Sequence, residues 1–201
     1  MNKWIFLVLS CVFVTMFGVR ESKADTVLTF DDLTGDGQVP NGYAGINWND
    51  QWAYYDNSQP PYNPESGNER IYNLTSTGDR PEDAFFNFTS PVVFKGAYFA
   101  GFDITTVNFN LYDGASLVWT SAGINPTATP TFLSSNYSGP VTAVDVHDTG
   151  SSGTFDFYVM DNVTFAGTTA APEPSAIVPL CGLLALIGLA VRRRIETSRR
   201  S

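Results

Sequence analysis

The chain has 201 residues, with twenty acids against eleven bases and a net charge of −9. Between Asp25 and Ala171 the imbalance deepens to seventeen acids against Arg70, Arg80 and Lys95, a net charge of −14. A polyanion of this density repels nucleic acid and anionic lipid headgroups, which excludes both as direct partners of that stretch.

The first segment, 1–24, carries Lys3, an apolar run from Trp4 to Val19, and Ser22-Lys23-Ala24 at its end. That order predicts a secretory signal peptide removed after Ala24. Cys11 lies in this run and Cys181 in the C-terminal apolar run, so no disulfide is expected to staple the body.

The body, 25–166, reads as strands and turns throughout. Strands are predicted over 26–31, 44–48, 84–88, 91–95, 97–103, 106–112, 116–120, 141–147 and 154–165. Turn-forming stretches such as "LTGDGQ", "YDGAS" and "DTGSSG" separate them. Period-two alternation is clearest in "VNFNLYD", where Val107, Phe109 and Leu111 oppose Asn108 and Asn110. It recurs in "VTAVDVHD", where Val144 and Val146 oppose Asp145 and His147. No stretch of the body keeps a helical period. The expected fold is all-β, a single β-sandwich of jelly-roll type. The segment 51–70, with three prolines and many polar residues, is expected to be an ordered loop or minor edge structure.

Catalytic motifs are sparse. The single histidine, His147, sits on the polar parity of its strand beside Asp148, and no nucleophile motif accompanies it. Aspartates are plentiful, but nothing selects a carboxyl pair for glycoside hydrolysis. The chain is therefore read as non-catalytic, with a polysaccharide-acting hydrolase as the alternative.

Calcium is the cofactor the acids suit best, because a hard ion takes several oxygen ligands. "DLTGDG" places Asp32, Thr34 and Asp36 at alternating positions before Gly37, like the first half of a calcium loop; Tyr43 then stands where a bidentate glutamate belongs. Independently, Asp161 shares the parity of Phe155, Phe157, Val159, Val163 and Phe165 in the last strand. A carboxylate on an apolar face needs a partner, a proton or a cation. A β-bulge or hydrogen bonds from backbone amides are the alternatives. A third feature is the Tyr- and Trp-rich stretch 43–72, where Trp52, Tyr54 and Tyr55 are candidates to stack on sugar rings; packing as a mini-core is the competing reading.

The stretches "LTFDDL", "NGYAGINW" and "FYVMDNVTF" resemble a family of bacterial and fungal extracellular jelly rolls, similar to carbohydrate-binding modules. The resemblance implies a structural calcium shared by acids near the first and last strands. By position these are Asp31 or Asp32, and Asp161.

The C-terminal region carries Pro172-Glu173-Pro174 at the end of a linker, 167–174. An apolar helix is expected over 175–191, then Arg192-Arg193-Arg194 opening a basic tail, 192–201. The apolar run is short for a bilayer, but snorkelling arginines make a thin span feasible and place the tail in the cytoplasm. This order resembles the PEP-CTERM sorting signal of Gram-negative bacteria. The resemblance implies an exosortase-type processing enzyme as partner, with Pro172, Glu173, Pro174 and Arg192–Arg194 as its recognition residues. The membrane is then contacted only through this helix, before processing. The destination implied is the cell surface or an extracellular, biofilm-type matrix. There the protein either binds polysaccharide or is a structural component without a specific ligand.

Overall fold

The computed structural model describes residues 24–150 and 158–168, which belong to one compact unit, Glu21–Thr168. Residues 1–23, expected to be signal peptide, and the expected C-terminal helix, basic tail and sorting residues Pro172, Glu173, Pro174 and Arg192–Arg194 lie outside the described residues. No helix among the described residues is long and apolar enough to cross a membrane.

The fold is all-β and antiparallel. In chain order the strands are β1 (Thr26–Leu28), β2 (Gly37–Gln38), β3 (Ile46–Asn47), β4 (Trp52–Tyr55), β5 (Arg70–Asn73), β6 (Asp83–Gly101), β7 (Thr105–Asp113), β8 (Ser116–Thr120), β9 (Thr131–Ser134), β10 (Val141–Gly150) and β11 (Tyr158–Gly167). Hydrogen bonding runs β2-β4-β5-β11-β6-β10-β7-β8, with β1 on β11 and β3 and β9 on β6.

The long β6 joins two groups of strands. Its first half, before the exposed Thr89-Ser90-Pro91, pairs with β10 and β3; its second half pairs with β11 and β9. Three strands expected between 84 and 103 are thus one. Proline at this point loses no ladder bond that an exposed bend needs. Within the second half the buried parity switches at Gly96, from Val92 and Phe94 to Ala97 and Phe99. Gly96 has φ 144, and an added Cβ would stand 2.1 Å from the Leu133 carbonyl oxygen, so only glycine fits.

Buried side chains from strands along the whole sheet gather in an aromatic core. Trp52 of β4 lies 6.2 Å from Phe86 of β6, and its indole N–H donates to the Phe85 carbonyl at 3.0 Å. Phe94 meets Phe109 edge-on at 4.9 Å, and Phe99 meets Phe109 and Tyr158 at 5.6 Å each. Each of these fully buried rings contributes about 2–3 kcal/mol of apolar burial, so the cysteine-free body is held by packing. The segment 51–70 departs from expectation at its ends. Trp52–Tyr55 is a paired strand because Trp52, Ala53 and Tyr55 have core to fill.

Candidate functional site

Asp161 lies in β11 on the apolar parity and remains buried, 2% exposed. A bulge begins immediately after it: the register to β6 shifts between Asp161 and Thr164, and Asn162 adopts φ 51. The bulge leaves the carboxylate pointing inward, where three backbone amides donate to it. Glu65 and Ser66 donate to Oδ2 at 2.9 Å each, and Asn162 donates to Oδ1 at 2.7 Å. Burial raises the carboxyl pKa to about 7 against the pull of those amides, and neighbouring Asp31 raises it further. Asp161 thus ties loop 63–69 to the last strand.

The same loop holds Asp31. The Ser66 hydroxyl donates to Asn162 Oδ1 at 2.9 Å and reaches Asp31 Oδ2 at 3.4 Å. Gly67, at φ 51, leaves room for this carboxylate; a Cβ there would fall 1.7 Å from Asp31 Oδ1. Phe30, just before Asp31, also has positive φ, 62. Positive-φ backbone at Phe30, Gly67 and Asn162 therefore adjoins one cluster of oxygens.

Glu69 lies within the electrostatic reach of Asp31. It is 4% exposed, and its Oε2 has no hydrogen-bond partner. Burial first, then the charge of Asp56, raise its carboxyl pKa to about 6; Asp31 and Asp36 add to this, and Arg70 opposes it. Arg70 is itself committed to the loops. Its guanidinium donates to the carbonyls of Asn68 at 2.7 Å and of Tyr55 and Asn57, and stacks 3.8 Å over the Tyr55 ring. A buried, unpartnered carboxylate oxygen that feels the charge of further acids is a donor a hard divalent cation can take. Asp31 and Asp32 also border an open groove of about 610 Å³.

The structure divides the expected calcium set. Asp31 and Asp161 are neighbours, but Asp32 turns away and accepts the Tyr43 hydroxyl. That phenol's pKa is pushed up by burial and then by Asp32. Asp161 spends both oxygens on amides. The half-motif Asp32, Thr34, Asp36 is divided as well: Asp36 accepts from the Asn57 side chain at 3.3 Å and belongs with Glu69. Glu69 and Asp56 were missed, since nothing adjacent in sequence marks either acid.

The ring platform expected at Trp52, Tyr54 and Tyr55 does not form. Trp52 is wholly buried, Tyr55 is buried beneath Arg70, and Tyr54 is half-buried against the core. Packing wins because Trp52 fills the space beside Phe86. Among the described tryptophans and tyrosines, the exposed ring is instead Trp119 of β8, 40% exposed and stacked on Tyr137 at 5.9 Å.

A second set of polar groups lies elsewhere, on the face of β6, β10 and β7 that points away from the core. Asp83, Asp145 and His147 each offer a ligating atom, and these atoms all lie within 4.8 Å of one another. Among the described residues this is the group of three or more acidic, thiol or imidazole side chains that reaches that closeness. His147, read from sequence as an exposed strand-end residue, meets Asp83 Oδ1 through Nδ1 at 2.6 Å.

No family model matches the chain, and no curated protein matches it. Among solved structures, the chain is similar to a DUF4465 family protein from Bacteroides ovatus. The identity is 10% and the TM-score 0.40, over 71% of this chain and 94% of that chain.

Proposed function

We propose that this is an exported, non-catalytic cell-surface or extracellular-matrix protein, built on a jelly-roll β-sandwich that calcium stabilises. The observation carrying the calcium reading is Glu69: a carboxylate 4% exposed whose Oε2 lacks any hydrogen-bond partner. Asp31, Asp36 and Asp56 surround it electrostatically. Asp31 and Glu69 are the residues proposed to hold the ion, with Asp36 and Asp56 supplying charge. Calcium bound there neutralises several acids at once. Asp161 acts behind them, fixing the loop that carries Glu69 through the Glu65 and Ser66 amides.

Export and surface sorting rest on the segments 1–24 and 172–194, whose order resembles a signal peptide and a PEP-CTERM signal. An exosortase-type enzyme is the proposed processing partner. A charge of −14 over Asp25–Ala171 favours a neutral polysaccharide over an acidic one as matrix partner. Trp119 is the ring proposed to meet it. Thermal melting of the full-length protein with calcium and with a chelator tests the central part of this reading. A rise of about 5–10 °C is expected at a hundredfold excess over the dissociation constant. An unchanged melting temperature overturns it.

A further inference from the structure

The group on the outer face is chemically distinct from the oxygen cluster around Glu69. β10 runs between β6 and β7, with His147 opposite Asp83 and Asp145 opposite both Phe85 and Asn110. Strand alternation sends Ala84, Phe86, Val144 and Val146 to the core, so Asp83, Asp145 and His147 share the other face. Ligands on one small divalent ion, bound at about 2.0–2.3 Å, lie no more than about 4.6 Å apart. The three ligating atoms here already sit within 4.8 Å.

Two further observations point to a ligand. Asp145 is 2% exposed, yet its Oδ1 has no hydrogen-bond partner. Its other oxygen accepts the Asn110 side-chain amide at 3.0 Å on the β7 side. The carboxylate also contacts Asp83 on the β6 side. Asn110 therefore fixes the carboxylate as a supporting group fixes a metal ligand. The Phe85 ring, opposite Asp145, meets the Tyr112 ring, opposite Ala143, at 6.0 Å. Asp83 is 57% exposed and His147 29% exposed at the side chain, leaving the group open to solvent on one side.

We propose that Asp83, Asp145 and His147 form a binding site for a borderline divalent transition metal of the zinc class. One imidazole nitrogen and two carboxylates suit zinc, cobalt, nickel or copper better than calcium, which prefers oxygen alone. Binding uses Nδ1 of His147 in the neutral tautomer that carries its proton on Nε2, so the contact of Nδ1 with Asp83 is exchanged for one with the metal and no net proton is released. Asp145 supplies the unpartnered Oδ1, and water completes the shell. The two cation sites then respond to different metals.

The test is a zinc titration of the full-length chain, stripped of metal and carrying no polyhistidine tag, against a zinc-responsive dye. One equivalent is expected to bind, at least tenfold more weakly in His147→Ala and in Asp83→Asn. Both substitutions lie at solvent-accessible positions and leave the fold to be verified by melting. Glu69→Gln is expected to keep zinc affinity, and millimolar calcium is expected not to displace the metal. Absence of zinc binding in the wild-type protein overturns the proposal. So does unchanged affinity in a folded His147→Ala variant, or displacement of zinc by calcium.

Discussion

The Asp161 carboxylate accepts the backbone amide of Ser66 at 2.9 Å across 95 residues of chain. This bond and its twin from Glu65 join the final strand to the loop that carries the acid cluster. Asp161→Ala removes the acceptor from three amides, and a buried unsatisfied amide costs about 1–3 kcal/mol. Part of that loss is offset because the charged carboxylate no longer has to be buried. A net loss of about 2 kcal/mol, or about 4–8 °C in melting temperature, is expected. Limited proteolysis should cut faster within 60–69. A melt within 1 °C of wild type and unchanged cleavage would contradict this role.

Gly67 is the position where a methyl group tests the Asp31 placement. Alanine at φ 51 costs about 1 kcal/mol, and its Cβ would overlap Asp31 Oδ1. Gly67→Ala is expected to melt lower and to need at least tenfold more calcium for half of its stabilisation. Titration followed by melting reads both effects. Full retention of the calcium response would place the ion away from Asp31.

The pH dependence follows from the raised carboxyl pKa values. Asp161 titrates at about 7 and Glu69 at about 6 in the folded protein, against about 4 when unfolded. The folded state therefore binds more protons than the unfolded state across that interval, so stability falls as pH rises through it. In chelator the melting temperature is expected to be higher at pH 5 than at pH 8. Calcium should flatten this slope by stabilising the ionised forms. A melting temperature that climbs from pH 5 to pH 8 in chelator would contradict the assignment.

Much of the fold is legible in sequence where polar and apolar residues alternate strictly. β7 and β10 follow from "VNFNLYD" and "VTAVDVHD", because each has one face on the core and one on water. β4 hides because Pro60 and Pro61 follow closely and its tyrosines read equally well as loop decoration. The unity of β6 hides behind Pro91 and Gly96, which look like strand ends but mark an exposed bend and a parity switch. In the site, Asp161 announces itself by sitting on an apolar parity. Glu69 and Asp56 do not, because no local period marks either acid.

Trp52 and Trp119 separate packing from surface function. Trp52→Ala empties a core position and should cost about 3–5 kcal/mol. Trp119→Ala removes an exposed ring and should cost less than about 1 kcal/mol. Co-sedimentation with neutral polysaccharides is expected to weaken severalfold in Trp119→Ala, because a stacking surface is lost. Equal binding by Trp119→Ala and wild type would remove the ring from the polysaccharide account.

The central claim is that a cation answers the unpartnered oxygen of Glu69. Its most direct measurement is the calcium-induced melting shift in wild type and in Glu69→Gln, side by side. A shift of about 5–10 °C is expected in wild type and less than about 1 °C in the variant, at equal calcium. Equal shifts in the two proteins, or none in wild type, would contradict it.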